Sequence, residues 1–304
     1  MIVLQQMAVL FIIMMIGFWA FKKDMIDSVT SKKLSGIVVN IANPAMILSG
    51  VIGDTSQIQG SDLILTVTAS IILYVALLAI GTILPKVLSI PEKSIGTYRV
   101  MTIFSNIGFI GFPIISAVYG SSALLYASIF LIPYNVLIYT YGIQMMKQGE
   151  KEAFHWKKII NIGVVFCIIA IFIFITNLSL PNWIANTIST LSNLTAPLSM
   201  MVIGASFATM NIKKLFCDAK LLLFSAVKLL LLPIIGTLIA KQFIDNYALC
   251  GVIMIMLSTP VGSMTAMLAQ EYNGDYELAS KGVAITTLLS VLTIPIVSAL
   301  VMNG

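Results

Sequence analysis

The 304 residues are 59% hydrophobic and only 10% charged, against roughly 25% charge in a soluble domain. Polar groups this sparse cannot wet the surface of a globule of that size, so the composition excludes an ordinary soluble fold. The net charge of +5 sits in short clusters between apolar runs, the placement of membrane-protein loops and not of a nucleic-acid-binding face.

Apolar runs broken by charge give ten spans in chain order, at about 2–21, 34–53, 63–84, 99–118, 121–146, 158–179, 182–210, 219–240, 246–269 and 280–302. About 20 apolar residues cross a bilayer as a helix. The first run has no basic residue ahead of it and is followed by Lys22 and Lys23, so it reads as a retained span and not a signal peptide. Basic residues follow the odd-numbered spans: Lys22, Lys23, Lys32 and Lys33 after span 1; Lys86, Lys93 and Arg99 after span 3; Lys147, Lys151, Lys157 and Lys158 after span 5; Lys213, Lys214 and Lys220 after span 7; and Lys281 after span 9. Lys241 stands alone in an even-numbered loop and Lys228 lies inside span 8. Because basic loops stay in the cytoplasm, a multi-pass protein of the cell membrane is expected, with both termini outside and the linker 147–158 cytoplasmic.

The two halves echo each other. Span 2 carries Asn40 and Asn43-Pro44, and span 7 carries Asn193 and Pro197; span 4 reads Ser105-Asn106-Ile107-Gly108 through Gly111 and Pro113; span 9 reads Ser258-Thr259-Pro260-Val261-Gly262-Ser263 through Thr265; spans 5 and 10 hold Pro133 and Pro295. Five helices per half put the second half into the membrane upside down. The expected fold is therefore an all-α integral membrane protein of two inverted five-helix repeats, 1–146 and 159–304, joined by the linker 147–158. Such repeats are typical of secondary transporters.

Spans 4 and 9 carry the chemistry. Proline removes a backbone donor and crowds the preceding turn. Loosened carbonyls and amides cost several kcal/mol each in hydrocarbon unless protein, water or a ligand takes them up. If the two spans cross near Pro113 and Pro260, two half-helix N-termini meet in mid-membrane, each bearing about half a positive charge. Asn106, Gly108, Gly111, Pro113, Ser258, Thr259, Pro260, Gly262 and Ser263 are then candidate substrate-binding residues for a carboxylate, while Ser105, Thr265 and Asn43 offer oxygens to an ion. Lys228 joins them as the ionisable residue deep inside an apolar span. It either pairs with substrate or titrates in coupling, or it bonds carbonyls loosened in a broken helix or snorkels to the interface.

Other residues are read more plainly. Tyr134, Asn135 and Tyr139 fit packing better than a cavity wall. Asp54 fits a solvated loop, and His155 and Trp156 a membrane surface. Cys167, Cys217 and Cys250 match no metal or redox spacing. No metal site, cofactor or nucleotide motif is expected. One histidine and no paired intramembrane aspartates argue against an intramembrane enzyme.

These spans resemble the auxin efflux carrier family of transporters in its bacterial branch. The likeness rests on Asn43-Pro44, Ser105-Asn106-Ile107-Gly108-Phe109-Ile110-Gly111-Phe112-Pro113, Ala196-Pro197 through Gly204, Lys228 through Pro233, and Ser258-Thr259-Pro260 on to the turn Tyr272–Asp275. It implies scaffold helices 1, 2, 6 and 7, transport helices 3–5 and 8–10, and crossing at 4 and 9. It further implies an elevator motion, often a homodimer, and organic-anion substrates such as indole acetate or dicarboxylates. The expected function is secondary transport of a small organic anion, with H+ or Na+ as a possible coupling ion. Two other readings are a sodium-coupled carrier of bile-acid type and a ligand-sensing membrane protein without net flux.

Overall fold

A computed structural model describes residues 2–52, 60–147, 161–209 and 217–302. Linker residues 148–158, with His155 and Trp156, lie outside these, as do Asp54, Lys213 and Lys214. The described residues form twelve helices: α1 (Ile2–Lys22), α2 (Ser28–Ile52), α3 (Gly60–Val87), α4 (Glu92–Ile103), α5 (Ile107–Tyr119), α6 (Ala123–Met146), α7 (Ile162–Thr176), α8 (Asn182–Ala208), α9 (Ala219–Ala240), α10 (Tyr247–Ser258), α11 (Ser263–Glu271) and α12 (Tyr276–Val301). The one β element among them is an isolated antiparallel bridge between Ser105 and Val261.

Seven of these helices (α1, α2, α3, α6, α8, α9 and α12) are long and apolar enough to cross a membrane, and α5, α7 and α10 are shorter apolar helices. Their outward faces stay greasy: Ile64 on α3 is 72% exposed and Phe243, just beyond α9, is 80% exposed. The multi-pass membrane protein read from composition is what this architecture supports.

The interruptions expected in spans 4 and 9 fall at Phe104–Asn106 and Thr259–Gly262, each between two helices. Span 2 starts earlier than its apolar run, because Asp27 accepts the Thr30 amide at 2.7 Å and caps α2. The Thr30 hydroxyl and amide hold the Asp27 carboxyl below its ordinary range.

Three prolines act by one mechanism. Pro44, Pro113 and Pro233 each follow a π turn, Val38–Ala42, Ile107–Gly111 and Val227–Leu231. A proline has no N–H for the carbonyl four residues back and presses its ring against it. The ladder slips by one residue instead: Asn43, Phe112 and Leu232 donate their amides to Val38, Ile107 and Val227, five residues back.

One contiguous core runs from Met7 and Met14 on α1 through Phe104 and Phe112 to Val297 on α12. Close approach is deepest between α1 and α8, where a Cβ on Gly17 would collide with the Met201 backbone and one on Gly204 with the Met14 carbonyl. The α2 helix packs on α7 and α8, α3 on α4 and α6, and α10 on α9. The two broken spans lie inside this frame.

Candidate functional site

The site is built from backbone groups that the two breaks set free. In an unbroken helix the Asn106 amide would donate to Thr102; here it donates to Pro260 O at 2.7 Å, while Gly262 N donates to Phe104 O at 2.9 Å. These two bonds form the Ser105–Val261 bridge, and they run α4–α5 antiparallel to α10–α11 at that point. Val261 N finds the Thr286 hydroxyl on α12 at 3.0 Å. The Met256 carbonyl, which Pro260 cannot serve, accepts the Thr259 hydroxyl at 2.9 Å. The Phe109 carbonyl, freed by Pro113, accepts the Ser199 hydroxyl of α8 at 2.9 Å.

Two glycines mark positions of close approach. A Cβ on Gly262 would lie 3.1 Å from the Ser105 carbonyl oxygen, and one on Gly108 would lie 2.8 Å from the Asn43 amide nitrogen. The crossing thus lies at Ser105 and Val261, and the expectation that it lies near Pro113 is corrected. Pro113 sits in the first turn of regular helix at Phe112–Tyr119, because the slipped π turn absorbs its clash. The break instead comes where Ser105 and Asn106 leave the helix to pair with the other strand.

Two half-helix N-termini meet at this crossing. Asn106 caps α5, its side-chain oxygen accepting from Phe109 N at 3.4 Å, and its amide nitrogen reaches Ser263 Oγ at 3.5 Å. Gly262 precedes α11 in extended backbone. First-turn amides have no preceding turn to donate to, so each end bears about half a positive charge. Both ends face one cavity of about 620 Å³, lined at the crossing by Ser105, Asn106, Gly108, Gly262 and Ser263 and opposite them by Asn43. The Asn43 side-chain oxygen is buried there without a partner. A second cavity, of about 730 Å³, shares Ser35, Asn106, Phe109, Ser263, Met267 and Glu271 with the first. Ser263, Met267 and Glu271 recur every four residues, one stripe of α11.

The candidates therefore separate. Asn106, Gly108, Gly262, Ser263, Ser105 and Asn43 line the cavity together. Ser258, Thr259 and Thr265 are fully buried, and with Gly111, Pro113 and Pro260 they stand behind the wall, where Thr259 Cγ2 closes on Gly111. Lys228 is also fully buried and donates to Thr102 O at 3.0 Å and Ser105 Oγ at 2.7 Å. Of its alternatives, bonding a loosened carbonyl is the one this conformation displays.

Tyr134, Asn135 and Tyr139 line the cavity where packing was expected, and Tyr134 does both, meeting the Phe104 ring edge-on at 5.3 Å. Glu271 and Asn161 were missed as wall residues. Asn161 also caps α7 and bonds Asn135 through its amide. Its place just before an apolar run is a cap signal in the sequence; nothing local marks Glu271.

A family model described as membrane transport protein matches residues 2–159 and 151–298. The chain is 21% identical, over 315 aligned residues covering 100% of both chains, to an uncharacterized transporter of Methanocaldococcus jannaschii. It is 24% identical over 290 residues to an uncharacterized transporter of Methanothermobacter thermautotrophicus, with 94% of each chain covered. With its broken spans and this match across both halves, the chain belongs to the membrane transport protein family, that of the auxin efflux carriers.

Proposed function

We propose that the protein is a secondary transporter that carries a small organic anion, a carboxylate, across the cell membrane by alternating access. The observation that carries this reading is the pair of helix N-termini at Asn106 and Gly262 turned toward one cavity. The aligned dipoles of the two helix N-termini favour a carboxylate there. The acidic residue sharing that wall, Glu271, is eight residues beyond Ser263, about 12 Å along the helix. A cavity of about 620 Å³ falls within the roughly 300–1,000 Å³ that small-molecule sites occupy.

In this reading the chain has ten spans, with α4–α5 and α10–α11 each forming one broken span, in two inverted repeats 1–146 and 159–304 about the linker 147–158. The antiparallel bridge between the breaks supports that symmetry. Helices α1, α2, α7 and α8 form a scaffold, held by the close α1–α8 contact, and α3–α6 with α9–α12 move against it as an elevator. Basic-loop bias sets both termini outside. Both cavities then open toward the cytoplasmic side, where Lys32 and Tyr276 line the second.

Reconstitution into liposomes with a panel of labelled mono- and dicarboxylates tests this. Net flux of a carboxylate down an imposed gradient is expected, with Asn106→Ala lowering it at least about tenfold, the roughly 1.4 kcal/mol of one charge-assisted hydrogen bond. Saturable binding without flux would assign a ligand sensor instead.

A further inference from the structure

Lys228 is fully buried, and its partners are a carbonyl and a hydroxyl, with no carboxylate among them. A lone ammonium is costly in such a place, so its surroundings must supply negative potential by other means. The break supplies it. Thr102 O is available because Asn106 N has turned to Pro260, and it belongs to the last turn of α4, where helix carbonyls carry about half a negative charge. The Ile103 carbonyl next to it loses its helical donor as well, since Ile107 N bonds Ser105 O. Freed carbonyls and a hydroxyl at the C-terminal end of a half-helix are the oxygen set that holds an alkali cation in broken-helix carriers. Here two of the three ammonium donors already engage that set. The crossing therefore divides its charges. Its N-terminal ends face the cavity, while the C-terminal oxygens of α4 face an internal cation behind the wall.

We propose that Lys228 is a tethered cation that fills a monovalent-cation site at the crossing, so that the site takes no sodium ion from solution. Its consequence for transport, carboxylate movement without sodium, rests on the carrier reading above; the occupancy of the site does not.

The test is thermal unfolding of the purified full chain in detergent, read by a thiol-reactive fluorophore at the buried Cys167 and Cys250. Sodium, lithium, potassium, choline and methylammonium chlorides are compared at equal ionic strength. The unaltered protein is expected to give one Tm in all five salts. Lys228→Ala is expected to lose about 5 °C or more in choline, and to recover saturably with sodium or methylammonium. Lys228→Met, which fills the space without charge, is expected to be lowered and to recover in none; Lys228→Arg retains most of the Tm.

A saturable sodium-dependent rise in the unaltered protein would overturn the proposal. So would Lys228→Ala that matches the unaltered Tm, or that is lowered and indifferent to every cation. If Lys228→Ala cannot be purified, the salt series on the unaltered protein and Lys228→Met decide: a Lys228→Met Tm equal to the unaltered one also overturns it. Absence of carboxylate flux would sink the carrier reading and leave these Tm shifts standing, whereas sodium-dependent flux by the unaltered protein would overturn the transport consequence alone.

Discussion

Thr286 and Ser199 show what it takes to open a helix inside a bilayer. Each is an ordinary hydroxyl on a regular helix, yet each serves one backbone group released elsewhere in the chain: Val261 N at the break for Thr286, and Phe109 O at the Pro113 π turn for Ser199. Hydroxyl-mediated bonds within membranes are worth about 0.6–2 kcal/mol, and stranding a buried amide costs about 1–3 kcal/mol. Thr286→Val, which keeps shape and removes the acceptor, is therefore expected to lower Tm by several degrees, while Thr286→Ser stays near the unaltered value. Equal Tm for both variants would show that Val261 N has another acceptor. Neither residue is conspicuous in the sequence, where hydroxyls on apolar helices mostly bond their own preceding turn, as Thr286 also does to Gly282 O. Asn106 by contrast is legible early, because an amide side chain between an apolar run and a glycine pair has few purely structural uses in lipid.

At the scale of elements, the prolines and glycines divide into two kinds that composition does not separate. Pro44, Pro113 and Pro233 produce π turns within continuous helix, whereas Pro260 stands in the non-helical segment between α10 and α11. Proline type alone does not choose between these outcomes. The partner strand at Phe104–Asn106 does, by supplying bonds that make the extended form affordable. Glycines divide likewise. Gly204→Ala would drive a methyl into the Met14 carbonyl of α1, and overpacking of this kind costs about 1–3 kcal/mol. Gly36→Ala on α2 meets nothing within 4 Å and is expected to stabilise by about 0.5–1 kcal/mol, through helix propensity. The measurement is Tm for the two single variants side by side; a Gly204→Ala protein as stable as Gly36→Ala would mean that α1 and α8 do not pack this closely.

For the whole molecule, orientation is open to a test with native residues. Cys217 is exposed while Cys167 and Cys250 are buried, and Cys217 lies in the basic loop after the seventh span. A membrane-impermeant maleimide is expected to label Cys217 in inside-out vesicles and not in right-side-out ones, with Cys217→Ser as the blank. Labelling in right-side-out vesicles alone would invert the proposed topology, and with it the side to which both cavities open. The exposed apolar surfaces of α3, exemplified by Ile64, Ile71, Ile72 and Val75, face outward along the whole helix, as a lipid-covered wall requires.

Composition and loop charge alone determined that this is a multi-pass membrane protein, and the recurrence of Ser, Asn, Gly and Pro pointed to two interrupted spans, because lipid penalises unsatisfied backbone wherever it occurs. Which residues meet was decided only by the tertiary structure. The bridge at Ser105 and Val261, Tyr134 and Asn135 as cavity wall, and Lys228 against Thr102 each join positions remote along the chain. Hydrogen-bond partners for a broken helix come from whatever packs beside it, and local sequence does not record its neighbours.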